Sequence, residues 1–176
     1  MATLYTVGHS TRSRDELVEV LRKHEIQTLV DVRAFPASRR LPHFNRESLE
    51  KNLPLAGLQY VWLKALGGYR KKTMDDSPNI ALRNASFRNY ADYMLTPEFK
   101  SAAGELVNLA GNSRTVYMCA ERMWFQCHRM LISDWLVAHG NGVFHIDGLN
   151  PPKEHALMHE ARIIDGQLVY RGDALF

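Results

Sequence analysis

The stretch 3-TLYTVGHSTRSRDELVEVLRKHEIQTLVDVR-33 decides the fold. Its opening segment, 3-TLYTVG-8, is a short apolar run closed by a glycine, and its closing segment, 27-QTLVDVR-33, reads as a second, buried strand. Between them Leu17, Val18, Leu21 and Ile26 recur at near-helical spacing over 13–26. Ser13 followed by Glu16 is a capping box, in which each side chain satisfies a backbone N–H of the first turn, so the helix is expected to start there. A strand, a helix and a strand in so short a span form a unit whose two strands run parallel.

The same alternation continues outward. The segment 45-NRESLEKNLPLAG-57 reads as a helix opened by an Asn and closed by Gly57, and 58-LQYVWL-63 as a third strand. A long irregular loop over 64–84 carries paired glycines, a Pro and a basic run, and loops of that length in compact domains are often functional. A helical region over 87–110 should break before Pro97, because the residue ahead of a proline is pushed out of helical geometry. Then come a strand at 115-TVYMCA-120, a helix at 127-CHRMLISDWLVAHG-140 and a strand at 142-GVFHID-147. An Asp-Gly pair inside 162-RIIDGQLVYRG-172 signals a hairpin. The expectation is an α/β protein: a single three-layer domain over residues 1–176, with a mostly parallel sheet flanked by helices and a small C-terminal hairpin. No internal repeat, low-complexity tract or linker divides the chain.

With 176 residues, 45% of them hydrophobic, the chain can build its own core. Two cysteines do not suggest a disulfide scaffold, and free thiols fit a reducing compartment. There is no run of roughly 20 apolar residues and no charged-then-apolar leader, so a cytoplasmic protein without a membrane partner is expected. A formal charge of +3 permits an anionic ligand without demanding one. Neither a Gly-x-Gly-x-x-Gly after the first strand nor a Gly-Lys-Ser loop is present, which disfavours the dinucleotide and nucleoside triphosphate modes built on them.

Open parallel sheets bind ligands at the carboxyl ends of their strands. Those ends carry Gly8, His9 and Ser10, then Asp31 and Arg33, then Cys119, Ala120 and Glu121, with Gly67 and Gly68 some way past the third strand. Cys119, Glu121, His9 and His128 are the candidate catalytic residues. A thiol beside Arg122, His128 and Arg129, near a helix start, is favoured as thiolate. Glu121 could act as general acid or base, and His9 as a proton-transfer group because imidazole titrates near neutral pH. His128 and Arg129, as cations in the first turn of a helix, would oppose its dipole unless an anion lay nearby. A phosphatase-type loop would need Arg where Phe125 stands, and a rhodanese-type loop would need it at Trp124. The bland readings run alongside: Cys119 as a packed core thiol, His9 as a hydrogen-bonded structural residue, Asp31 and Arg33 paired with each other.

The candidate substrate-binding residues are Ser10, Asp31, Arg33, Arg39, Arg40, Asn45, Gly67, Gly68, Arg70 and Arg129. Arginine forks hold phosphates, and Phe44, Tyr60 and Tyr69 interleaved with them suit a nucleotide or single-stranded nucleic acid. The sequence requires no cofactor, but a divalent metal is possible: Cys119, Cys127 and His128 supply the right atoms and His9 could approach to complete them, although the short Cys-x-x-Cys knuckle is missing.

Together 6-TVGHS-10, 29-LVDVRAFPASRR-40, 42-PHFN-45, 66-LGGYR-70, 90-YADYM-94, 119-CAE and 127-CHR-129 resemble the family known as domain of unknown function 488. The resemblance runs from about Thr6 to His145 and implies an α/β domain with a site built from these motifs; it implies no activity. Met123, Trp124 and Phe125 stand where similar proteins tend to carry small, acidic or Pro residues. The expected function is an enzyme, a hydrolase or transferase with a Cys/His/Glu site, acting on a phosphate-bearing nucleotide or nucleic acid. The alternatives are a non-catalytic nucleic-acid-binding module and a metal-binding protein using Cys119, Cys127 and His128.

Overall fold

The computed structural model describes residues 1–172. Five strands and five helices alternate as expected: β1 (Thr3–Gly8), α1 (Arg14–Lys23), β2 (Thr28–Asp31), α2 (Arg46–Leu55), β3 (Gln59–Trp62), α3 (Ala85–Tyr93), α4 (Pro97–Asn112), β4 (Thr115–Cys119), α5 (Arg129–Ala138) and β5 (Gly142–His145). A two-residue strand, β6 (Lys153–Glu154), and the hairpin β7 (Ala161–Ile164) with β8 (Gln167–Tyr170) follow. The main sheet has the order β3-β2-β4-β1-β5-β6, parallel throughout except for β6. It is covered on both sides. Leu17 and Leu21 of α1 and Leu49 and Leu53 of α2 pack with Val7, Leu29 and Val116 on one face. Tyr90 of α3, Phe99 and Leu106 of α4, and Leu131 and Leu136 of α5 pack with Leu4, Val30 and Tyr117 on the other.

This arrangement fixes where a ligand can go. Gly8 is level with Cys119 and Asp31 with Met118, so β1, β2 and β4 end side by side. The chain leaves β1 and β2 toward α1 and α2 but leaves β4 toward α5 on the opposite face. Connections that diverge to opposite faces open a crevice at the carboxyl edge.

Local chemistry explains most boundaries. The Ser13–Glu16 capping box is present in both directions. Thr96 caps α4 with Pro97 in its first turn, which is the break expected in the 87–110 region. α1 stops earlier than its periodicity suggested, at Lys23, because Glu25 turns into the left-handed region (φ 56°) and swings Ile26 into the core from outside the helix. Asp165 and Gly166 both take positive φ, as a tight hairpin turn requires. The 64–84 loop is irregular but anchored. Tyr90 and Tyr93 donate to the Leu66 and Ala65 carbonyls at 2.7 and 2.6 Å, and buried Asn79 donates to Asp92 at 2.8 Å while accepting from the Tyr170 N–H at 3.0 Å.

Gly8 is the tightest point of this frame. A Cβ there would stand 1.8 Å from the Glu121 carbonyl oxygen, so only glycine lets the chain leaving β4 cross the end of β1. Gly8→Ala should therefore destabilise the protein by about 3 kcal/mol or more, since backbone must move to admit the methyl. Urea unfolding of the variant checks this, and a loss smaller than about 1 kcal/mol would contradict it.

Candidate functional site

A cavity of about 350 Å³ opens at the carboxyl edge. Cys119, Ala120, Glu121, Gln126, Cys127 and His128 form one wall, Arg33, Ala34 and Phe35 another, and Gly68, Tyr69 and Arg70 of the long loop a third; Ser86, Phe87 and Tyr90 of α3 complete it.

Cys119 ends β4, and Cys127 and His128 lead into α5, so the three reactive side chains are carried by regular elements on both sides of one loop. Both thiols are free and buried. The Cys127 thiol beside it, helped by Arg129 and by the backbone N–H groups of Glu121 and Ala120, holds Cys119 down to about 7 against burial, which pushes it up. Cys127 is pushed up by its pairing with Cys119 and by burial, so Cys119 is the thiol of the pair that ionises first. Arg129 bears on the pair from behind: its Nε–H donates to Cys127 Sγ at 3.2 Å, and the Cys127 thiol also lies 3.8 Å from the Trp124 carbonyl. The His128 Nε2–H donates to the Val32 carbonyl at 2.8 Å, and burial lowers the ring's pKa. The neutral imidazole thus turns its unprotonated Nδ1 toward Cys119 Sγ, 4.0 Å away. Gly68 lies against that nitrogen, where a Cβ would come within 2.6 Å of it.

Arg129 itself is 1% exposed and makes no ion pair among the described residues. Its Nη2 donates to the carbonyls of Glu121 and Arg122, and its Nη1 to Thr6 Oγ1 at 3.3 Å. A buried chain of hydrogen bonds continues from there. Thr6 Oγ1 donates to His145 Nδ1, His145 Nε2 to His155 Nδ1, and His155 Nε2 to Asp134 Oδ1, each at 2.8 Å. A guanidinium can only donate and a carboxylate can only accept, so a chain that donates in this order carries protons continuously from Arg129 to Asp134. Burial lowers His145 to about 3. Trp124 lies flat on His145 with ring centroids 4.3 Å apart and planes inclined by 4°, so the bulky loop after Cys119 roofs this chain.

The family described as Domain of unknown function DUF488 matches residues 13–136. The chain belongs to that family. No curated protein and no solved structure matches it. The matched segment contains Cys119, Cys127, His128 and Arg129, whereas Thr6, His9, His145 and His155 lie outside it.

Of the residues expected at the site, Cys119, Glu121, His128, Arg33, Gly68 and Arg70 do line the cavity, and Cys127 lines it as well. Several others serve the frame. Asp31 and Arg33 pair with each other, through Nε at 2.8 Å and Nη2 at 2.6 Å, and Tyr60 donates to the same carboxylate at 2.6 Å. His9 stacks on Phe44, donates from Nδ1 to the Ser10 carbonyl and takes a 3.3 Å contact from Arg33 Nη1; burial pushes it down to about 4, so it is neutral and committed. Its N–H, like that of Ser10, extends the pairing of β1 with β4 by donating to the Cys119 and Ala120 carbonyls at 2.9 Å. Asn45 accepts from the Ser38 N–H at 2.6 Å and so braces a turn. Gly67 packs on Ala34, Phe44 is fully buried, and Arg39 and Arg40 are exposed away from the cavity lining. His128 and Arg129 do not call for an anion at the start of α5, because one ring is neutral and the other cation is spent on loop carbonyls and a thiol. Phe35, inside the 29–40 motif but not singled out there, and Ser86 and Phe87, which stand in no motif, were not foreseen as cavity residues.

A depressed thiol pKa means that the thiolate persists down to about 7 and disappears below it. Alkylation of Cys119 by iodoacetamide in the metal-stripped protein should therefore rise through a midpoint of about 7 rather than the ordinary 9, with Cys127 reacting far more slowly at every pH. Peptide mapping across pH measures both, and a midpoint in the ordinary thiol range would contradict the assignment.

Proposed function

We propose that the chain is an enzyme that acts on a small phosphate-bearing substrate with a flat ring, a nucleotide in size and chemistry, with the reacting group held at Cys119. The observation that carries this reading is the convergence, in one cavity, of the Cys119 sulfur with an arginine whose charge has no carboxylate partner. Arg70 lies 3.6 Å over the Tyr93 ring, donates from Nε and Nη2 to the Gly67 and Ala65 carbonyls, and forms no ion pair among the described residues. Its charge is free for a phosphate, whereas that of Arg33 is matched by Asp31. The amino end of α3 stands on the same wall, through Ser86 and Phe87, and adds a favourable dipole for an anion.

At the lip, Phe35 and Tyr69 are 69% and 81% exposed with ring centroids 5.8 Å apart, which offers stacking surface for a base or similar ring. The cavity suits a small molecule better than a strand, since sites of a few hundred Å³ bury most of a ligand of that size. A thiolate is both the strongest nucleophile and the strongest metal ligand available in this wall, so hydrolysis or group transfer would be centred on the same sulfur.

Calorimetric titration with nucleoside monophosphates tests the reading. Arg70→Ala should weaken binding roughly ten- to a hundredfold, the range for a charge-assisted contact. Cys119→Ser should abolish turnover and leave affinity within about threefold, and Arg39→Ala with Arg40→Ala should leave both unchanged. If instead the double arginine variant flattens a salt-dependent affinity for polynucleotides while Cys119→Ser is silent, the protein is a nucleic-acid-binding module and not this enzyme.

A further inference from the structure

We propose that Cys119, Cys127 and His128 bind a thiophilic divalent metal ion, zinc by its ligand chemistry, whose fourth coordination position faces the cavity. This deepens the reading above by naming the group that Cys119 carries, and makes its sulfur a ligand rather than the attacking atom.

The two sulfurs and a ring nitrogen of His128 already lie within 4.8 Å of one another, all buried. Cys119 Sγ and His128 Nδ1 are 4.0 Å apart, and a tetrahedral ion at ordinary Zn–S and Zn–N lengths needs roughly 3.6 Å, so this pair need close only by tenths of an ångström and the widest pair, within 4.8 Å, by about 1 Å. The surroundings are those of ligands. A metal-bound imidazole almost always donates its other N–H to a carbonyl or carboxylate, and His128 does so to Val32 at 2.8 Å, which leaves Nδ1 as the ligating atom. Cys127 Sγ takes the Arg129 Nε–H at 3.2 Å, a bond that stabilises a sulfur carrying negative charge. Gly68, with no side chain, leaves His128 Nδ1 unobstructed.

Charge favours the same assignment. Two thiolates and one divalent ion form a neutral set. The buried cation Arg129 is then connected to the buried carboxylate of Asp134 by the chain through Thr6, His145 and His155. Three protein ligands with one open position is the arrangement of catalytic rather than structural zinc, and the open position lies where a substrate oxygen or a water would be polarised.

Titration of the metal-stripped, reduced full chain with Co²⁺ alone tests the site without any substrate, so its failure would leave the nucleotide reading standing on its own binding test. One Co²⁺ per chain should bind, with tetrahedral d–d absorption and thiolate-to-cobalt charge-transfer bands that Zn²⁺ abolishes on displacement. Cys127→Ser and His128→Ala should lose the bands, and Arg39→Ala should keep them. Because those two variants could misfold, the wild-type spectrum is decisive by itself: absence of charge-transfer bands there overturns the site, as does their full retention in a Cys127→Ser protein that folds.

Discussion

A guanidinium buried to 1% exposure, with no carboxylate paired to it among the described residues, is the constraint on which the rest of the structure turns. Burying an unmatched charge is costly, so the chain around Arg129 must present acceptors to it from every side. It does so from three places: Thr6 inside β1, distant in sequence, the carbonyls of Glu121 and Arg122 just after β4, and the sulfur of Cys127. Satisfying one side chain therefore fixes the path of the loop between the two cysteines, and with it the approach of Cys127 and His128 to Cys119.

The sheet makes this gathering possible. Because β1, β2 and β4 are parallel and end level, the residues that follow them emerge at one edge, and because β4 sends its chain to the opposite face, that edge is open. Gly8 lets the loop after β4 come down onto β1, and Gly68 lets the long loop come down onto His128. Two polar networks then divide the work. Asp31, Arg33, Tyr60 and His9 are closed on one another and hold the edge rigid, whereas Arg129 and the histidine chain behind it bear on the cysteine pair.

Much of the architecture was legible in the sequence because it follows from local rules. The apolar periods of β1 to β5, the Ser13 capping box, the break at Pro97 and the Asp-Gly turn each depend on neighbouring residues alone. β6 was not legible, since two exposed residues, Lys153 and Glu154, have no period to read. At the site, residue type and strand-end position singled out Cys119, His128 and Arg70, which line the cavity, and also His9, Phe44 and Tyr60, whose side chains are held in the frame. Those three have side chains capable of chemistry, and only their tertiary partners show that the capacity is already used. The converse holds for Trp124, which looked like a misfit in the loop and proves to be the cover of His145.

The free energy of unfolding of Arg129→Met tests this dependence most directly, because methionine keeps much of the volume and removes the charge and every donor. The loop carbonyls and the Thr6 hydroxyl would lose a buried partner together, so stability should fall by about 3–5 kcal/mol or the chain should fail to fold. A variant that folds and unfolds within about 1 kcal/mol of the parent would contradict the organising role assigned to Arg129.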